Sequence, residues 1–208
     1  SATISLADGA TTVTFRATDN SGATTSTTAT ITVTAPAINS VAPIYNPNNG
    51  HYYQFVPVNG LSWDEVNTAA RSLTHNGMSG YLATFTSVAE LEFIHTNMTA
   101  LGFSGVSNIY IGASDAAEEG RWRWVSGPEG LAEGGLGKTF FVNNAWVGES
   151  FSGNYGWKNP QASEDYIYLY AFLEPKFYIT KSDNRSVQGG GGPGGYFVEY
   201  GNSAPVVA

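Results

Sequence analysis

Residues 61–98 read LSWDEVNTAARSLTHNGMSGYLATFTSVAELEFIHTNM, and two amphipathic helices flanking one short apolar run decide the fold. Ser62 stands three residues before Glu65, the N-cap and reciprocal acid of a capping box, and Val66, Ala69, Ala70 and Leu73 follow at helical spacing. The pattern predicts a helix that runs on until Gly77 stops it. Thr86 or Ser87 caps a second helix, with Glu90 as its boxed acid and Val88, Leu91, Ile94 and Met98 as its apolar stripe. Between them GYLATF, residues 80–85, reads as a short buried strand.

Working outward toward the C-terminus, helix signals cease from residue 103 and aromatic, β-branched runs take over. IYIGASD (109–115), RWRWVSG (121–127), DYIYLYAFL (165–173) and GYFVEYG (195–201) read as strands, with a long glycine-rich stretch leading to Trp157. Trp122 and Trp124 alternate with Arg121 and Arg123, so both indoles are expected on one face, in the core, and the arginines on the other. Two helices packed on a sheet, with one long irregular excursion, make an α+β domain over residues 50–201. Excursions of that length inside a compact domain are usually functional.

Toward the N-terminus the pattern changes. Val13, Phe15 and Ala17, then Ala29, Ile31 and Val33, alternate around the turn Asp19-Asn20-Ser21-Gly22, which predicts a β-hairpin within residues 1–36. An immunoglobulin-type sandwich needs about seven strands in roughly 100 residues, so this is at most part of one. Residues 37–49, rich in Pro and Asn, read as a linker, and NSAPVVA at 202–208 as a linker or the first strand of a following repeat.

Composition narrows the function. Nine basic residues against seventeen acidic give a net charge of −8, with only 12% charged residues, which disfavours nucleic acid and favours neutral or cationic ligands. The chain has no cysteine, so disulfides and thiolate metal sites are excluded. The longest apolar run, YIYLYAFL at 166–173, is far too short for a membrane helix, and no signal peptide is read at the start, so a soluble chain is expected. Abundant Thr, Ser, Gly, Asn and aromatics fit an extracellular or cell-surface protein.

The ordered motifs HYYQFV (51–56), LSWDEVNTAARSL (61–73), GYLATFTSVAELEFI (80–94), IYIGASDAAEEGRWRWVSGPEG (109–130), WKNPQASEDY (157–166) and GGYFVEYG (194–201) resemble the cysteine-free bacterial members of the C-type lectin-like family. VTFRATDNSGATTSTTATITV, residues 13–33, resembles the closing strands of bacterial Ig-like stalk repeats. Members of the lectin family that bind sugar hold Ca²⁺ with side-chain oxygens on either side of a cis-proline, a later Glu and a final Asn-Asp pair. Carried over by position, the resemblance implies Asn159-Pro160-Gln161 for the triplet, Glu164 for the later acid and Ser182-Asp183 for the pair. Amide and carboxylate oxygens suit Ca²⁺, which takes six to eight hard oxygen ligands. The triplet here lacks a carboxylate, Lys181 replaces a tryptophan and Ser182 an asparagine, so the alternative stands that Asn159, Gln161 and Glu164 satisfy loop backbone instead. Asp165, the neighbour of Glu164 on a strand, is expected to point elsewhere.

Tyr155, Trp157 and Trp146 offer rings for sugar stacking without metal. Asp115, Glu118 and Glu119, with Glu133 and Glu149 farther along, are either an auxiliary calcium site or solvated turn acids, and Glu199 is expected as a structural hydrogen-bond partner. QGGGGPGG (188–195) is no phosphate cradle, because no helix follows it, and His51, His75 and His95 lack metal or catalytic spacing. Asn97-Met98-Thr99 and Asn184-Arg185-Ser186 match the N-glycosylation pattern. The expected function is therefore non-enzymatic: an adhesin module that recognises a glycan or a cell-surface protein, with no nucleic acid and no membrane insertion. The alternative is a structural filament unit, self-assembled through the N-terminal hairpin and the strand at 202–208.

Overall fold

The structure, a computed structural model, describes residues 9–33, 41–58, 60–103, 107–143, 145–148, 156–157, 165–171, 177–182 and 193–201. The chain divides into two compact units, Ser1–Ile38 and Asn39–Ala208. In the first, β1 (Gly9–Thr18) and β2 (Thr24–Val33) form an antiparallel hairpin with Gly9 opposite Val33 and Thr18 opposite Thr24. Asp19 organises the turn: its Oδ1 accepts from Ser21 N and Ala23 N, each at 2.9 Å, a side-chain mimic of backbone turn bonds.

The second unit opens with β3 (Ile44–Asn46) and β4 (His51–Pro57), antiparallel neighbours. A strand thus lies inside 37–49, where a linker was expected. Its flanking Pro43 and Pro47 fall outside the paired residues, so neither removes a ladder donor. Helix α1 (Trp63–Ser72) follows, with the capping box made as expected: Ser62 N donates to Glu65 Oε2 at 2.7 Å and Glu65 N to Ser62 Oγ at 3.3 Å.

Helix α1 ends earlier than its sequence pattern predicts. Leu73 turns extended, and β5 (Thr74–His75) pairs with β6 (Met78–Leu82) about Asn76 and Gly77, at φ 50° and 78°. Asn-Gly with two positive φ values is the favoured two-residue hairpin turn, and it wins over helix continuation. Helix α2 (Val88–Thr96) is capped by Ser87, whose Oγ accepts from Glu90 N at 3.2 Å. The Glu90 side chain instead accepts from Thr86 N at 2.8 Å, one residue before the cap, because its carboxyl is buried.

Beyond α2 come β7 (Ser107–Ser114) and β8 (Arg121–Trp124). A 3-10 turn (Pro128–Leu131) and a short helical turn α3 (Ala132–Gly135) then interrupt a region read as helix-free. Pro128 presets the φ of the turn, a local signal hidden among glycines. β9 (Lys138–Val142) and β10 (Ala145–Trp146) lie within the stretch read as irregular. β11 (Gly156–Trp157), β12 (Tyr166–Ala171), β13 (Phe177–Ser182) and β14 (Pro193–Tyr200) complete the sheet. One run of neighbours is β10-β9-β8-β7-β12-β13-β11, and β14 pairs with β4, β6 and β7.

Period-2 alternation on β14 sorts two cores. Tyr196, Val198 and Tyr200 pack with Trp63, Val66 and Ala70 of α1, while Phe197 packs with Phe85 and with Leu91 and Ile94 of α2. Trp122 and Trp124 are buried as expected, Trp124 stacked on Phe140 with centroids 4.3 Å apart. Arg123 is buried as well, beside a register shift between Trp122 and Arg123. Among the described residues no helix is long and apolar enough to cross a membrane.

Candidate functional site

The acidic turn between β7 and β8 meets the start of β12. Ser114, the last residue of β7, lies opposite Tyr166, and Tyr166 lies opposite Ser182 of β13, so three strand ends line up. Asp115 N donates to Asp165 O at 3.2 Å, tying the first residue beyond β7 to the residue before β12. Helix α1 braces this corner: the Trp63 indole donates from Nε1 to Ile111 O at 2.8 Å and stacks on Tyr166.

Asp115 is 1% exposed. Its Oδ2 accepts from Gly120 N at 2.9 Å, closing the 115–120 turn, for which Gly120 supplies φ 76°. Among the described residues its Oδ1 has no hydrogen-bond partner. One oxygen each from Asp115, Glu119 and Asp165 lies within 4.8 Å of the others. Burial pushes the Asp115 carboxyl up to about 6 against the pull of the Gly120 N–H, and the Glu119 and Asp165 charges add to the rise.

The members of this cluster differ from the acids grouped by sequence. Glu118 turns away, its Oε2 lying 2.8 Å from both Arg121 Nε and Arg123 Nη2. Glu133 accepts from Thr139 N at 2.7 Å, from Thr139 Oγ1 at 2.8 Å and from Arg123 Nε at 3.4 Å, while Glu149 falls outside the described residues. Asp165, expected to point away from the Glu164 site, brings a carboxylate oxygen to Asp115 and Glu119, beside a register shift between Tyr166 and Tyr168 in the β12–β7 ladder. That irregularity leaves no mark in the alternation of the sequence.

Of the residues assigned by resemblance, Asn159, Pro160, Gln161, Glu164 and Asp183 lie outside the described residues, as does Tyr155, offered for stacking. Trp157 sits in β11, paired in parallel with Ile179, and Ser182 ends β13 opposite Tyr166. Trp146, offered for stacking, packs edge-on against Phe141 with centroids 5.2 Å apart.

A hard, all-oxygen donor set with one buried oxygen lacking a donor fits a Ca²⁺ ion. Three carboxylates supply three of its six to eight ligands.

A second polar cluster lies on the α2 side of the sheet. Glu199 Oε1 receives His51 Nδ1 at 2.5 Å and Tyr53 OH at 3.1 Å, and Glu199 Oε2 receives Thr84 N at 3.0 Å. Glu90 Oε1 is hydrogen-bonded to Tyr53 OH, and Glu129 Oε2 to Thr84 Oγ1 at 3.1 Å. Glu199 thus has the hydrogen-bonding role read from its place in an apolar strand. The remaining partners had no sequence signal, since they come from four other segments.

No family model matches the chain. Over 155 residues, 74% of this chain, the sequence is 34% identical to halomucin of Haloquadratum walsbyi, a match that spans 1% of that protein. Over 85 residues, 41% of this chain, it is 28% identical to the alpha-N-acetylgalactosamine-specific lectin of Patiria pectinifera and spans 49% of it. The chain therefore covers about half or far less of these curated relatives. Among solved structures, the C-type lectin CEL-I from Cucumaria echinata matches 81% of this chain and 99% of its own, at 16% identity and TM-score 0.47. The EPNH mutant of CEL-I matches 81% of this chain and 98% of its own, at 15% identity and TM-score 0.46. At these scores the superpositions fix neither fold nor site.

Proposed function

We propose that residues 50–201 form a non-enzymatic, C-type lectin-like, carbohydrate-binding module of an extracellular protein, assisted by Ca²⁺. The observation that carries this reading is the carboxylate cluster of Asp115, Glu119 and Asp165, in which Asp115 is buried and its Oδ1 has no hydrogen-bond partner among the described residues. The sequence match to a protein named as a lectin supports the glycan class, as do the quoted motifs.

Asp115, Glu119 and Asp165 would hold the ion. Asn159, Gln161, Glu164, Ser182 and Asp183 would add oxygens toward the sugar, and Trp157 and Tyr155 would offer stacking surfaces. The ion supplies a fixed positive charge for sugar hydroxyls; the protein's part is to pin Asp115 to the Gly120 amide and Asp165 to β7.

Glycan-array binding of the 208-residue chain in millimolar calcium, repeated with EDTA, tests the reading. Binding lost with EDTA and with Asp115→Asn supports it. Binding that survives both moves recognition to the aromatic rings, and no binding to any glycan removes the lectin reading.

One observation favours a second reading. Among the described residues neither strand of the β1–β2 hairpin pairs with any other strand, which leaves two open edges for a strand from another chain. In that reading the segment 202–208 of one copy adds to the hairpin of the next and builds a filament. Sedimentation of the chain at high concentration checks it, and a strictly monomeric sample sinks it.

A further inference from the structure

Hydrogen counting in the buried cluster leads to an unusual protonation state. Two hydroxyls serve four oxygen–oxygen contacts. Tyr53 OH touches Glu90 Oε1 and lies 3.1 Å from Glu199 Oε1; Thr84 Oγ1 lies 3.1 Å from Glu129 Oε2 and 3.3 Å from Glu199 Oε2. A hydroxyl brings one hydrogen, and an ionised carboxylate brings none. With all three carboxyls ionised, two of the four contacts would set lone pair against lone pair among buried side chains.

The two missing hydrogens have natural places. Glu90 also accepts from Thr86 N at 2.8 Å and from Asn49 Nδ2 at 3.3 Å, but Glu199 is the carboxylate that both hydroxyls reach, and its oxygens face His51 Nδ1–H at 2.5 Å and Thr84 N–H at 3.0 Å, with the His51 proton assigned to Nδ1 by its carboxylate neighbour. Glu199 is therefore the shared acceptor. A proton on Glu90 Oε1 donates to Tyr53, whose oxygen also accepts from Asn49 Nδ2 at 2.8 Å, freeing the Tyr53 hydrogen for Glu199. A proton on Glu129 Oε2 likewise frees the Thr84 hydrogen for Glu199, and it spares Glu129 Oε1, buried without a partner, from carrying charge.

We propose that the folded domain holds two protons, on Glu90 and Glu129, each relayed through a hydroxyl to Glu199, and that this cluster is a latch which alkali opens. It joins segments distant in sequence: His51 and Tyr53 on β4, Thr84 after β6, Glu90 on α2, Glu129 in the 3-10 turn and Glu199 on β14. Tyr81 on β6 also directs its hydroxyl at Glu199, with a hydrogen of its own that leaves the count unchanged, and Lys138 on β9 acts on Glu129. Burial first, and the Glu199 charge second, push both Glu90 and Glu129 upward, in keeping with the hydrogen count.

The sign follows from linkage. A carboxyl protonated when folded and ionised when unfolded leaves stability untouched below the unfolded value and erodes it as pH rises toward the folded value. Deprotonation then puts three carboxylates in one buried site and drives α2 and the 3-10 turn from the sheet.

The test uses the full chain carrying Asp115→Asn, which removes the other raised acid among the described residues. At about pH 6, well above an unfolded Glu, the infrared spectrum of the folded protein shows a carboxylic-acid C=O band that denaturant abolishes. Glu90→Gln and Glu129→Gln, whose amides donate the same hydrogen bonds, each remove part of that band. The folding constant falls about tenfold per pH unit for each proton held, and each substitution removes one such factor. A spectrum without the band overturns the proposal, as does a slope unchanged in both variants. A band that calcium abolishes in this background also overturns it, since the acids then hold a cation instead. Should a Gln variant fail to fold, the band of the unsubstituted cluster decides alone.

Discussion

Trp63 and Tyr166 stack with ring centroids 4.7 Å apart and planes 28° apart, although 103 residues separate them. The stack places the N-terminus of α1 beside the residue that follows Asp165, so packing of the helix and geometry of the acidic corner are one problem. Trp63→Ala should cost about 3–5 kcal/mol, the usual range for a buried Trp, read as a lowered denaturation midpoint. Calcium affinity should fall with it, because Asp165 loses its brace.

Asp115 couples cation binding to acidity. Its carboxyl, raised to about 6, must be ionised to hold a cation, so calcium affinity should drop about tenfold per pH unit below that value and level off above it. In the calcium-free protein the sign for stability is opposite: the raised acid erodes stability as pH climbs from the unfolded value to about 6. Asp115→Asn should therefore stabilise the calcium-free domain above that pH while weakening calcium binding. Calorimetric titration at two pH values, paired with denaturant melts, reads both signs.

Glu133 holds an uncommon backbone, φ 50°, for the sake of its carboxylate. Thr139 N and Oγ1 both donate to it, and Arg123 faces it. Glu133→Ala leaves the Thr139 amide on β9 unpaired, and the expected loss is about 1–3 kcal/mol in a denaturant melt. The Thr139 donors and Arg123 hold this carboxyl below its ordinary value, so its contribution is present at neutral pH and lost as acid protonates it.

Gly195 marks the tightest point of β14. A Cβ there would stand 2.4 Å from Val56 O and 2.6 Å from the Phe55 ring, against backbone that cannot yield. Gly195→Ala should cost at least the 1–3 kcal/mol typical of overpacking, whereas Gly120→Ala, with open space, should cost only its backbone strain. Thermal midpoints of the pair separate crowding from strain.

Much of the frame was legible in the sequence because it rests on local periodicity. The Ser62–Glu65 box, the buried faces of Val66 and Ala70 and of Leu91 and Ile94, and the strand at GYFVEYG all appear where the pattern puts them. What escaped depends on competition or on distance. Asn76-Gly77 outbid the helix with a hairpin turn, and β9 and β10, though they carry Phe140-Phe141-Val142 and Ala145-Trp146, are short strands set in a glycine-rich run. The Asp165 partnership with Asp115 spans 50 positions and sits beside a ladder irregularity, and neither a spacing rule nor an alternation rule can express it.

The position of β14 bears on how the domain comes into being. This strand pairs with β4, β6 and β7, which precede it by about 80 to 150 positions. During synthesis those three strands wait with open ladders until residue 200 has emerged, so closure is late and all-or-none, with the high contact order of a slow folder. A ribosome-stalled chain ending before β14 should therefore be fully protease-sensitive across α1 and α2, and protection should arrive for both helices in a single step.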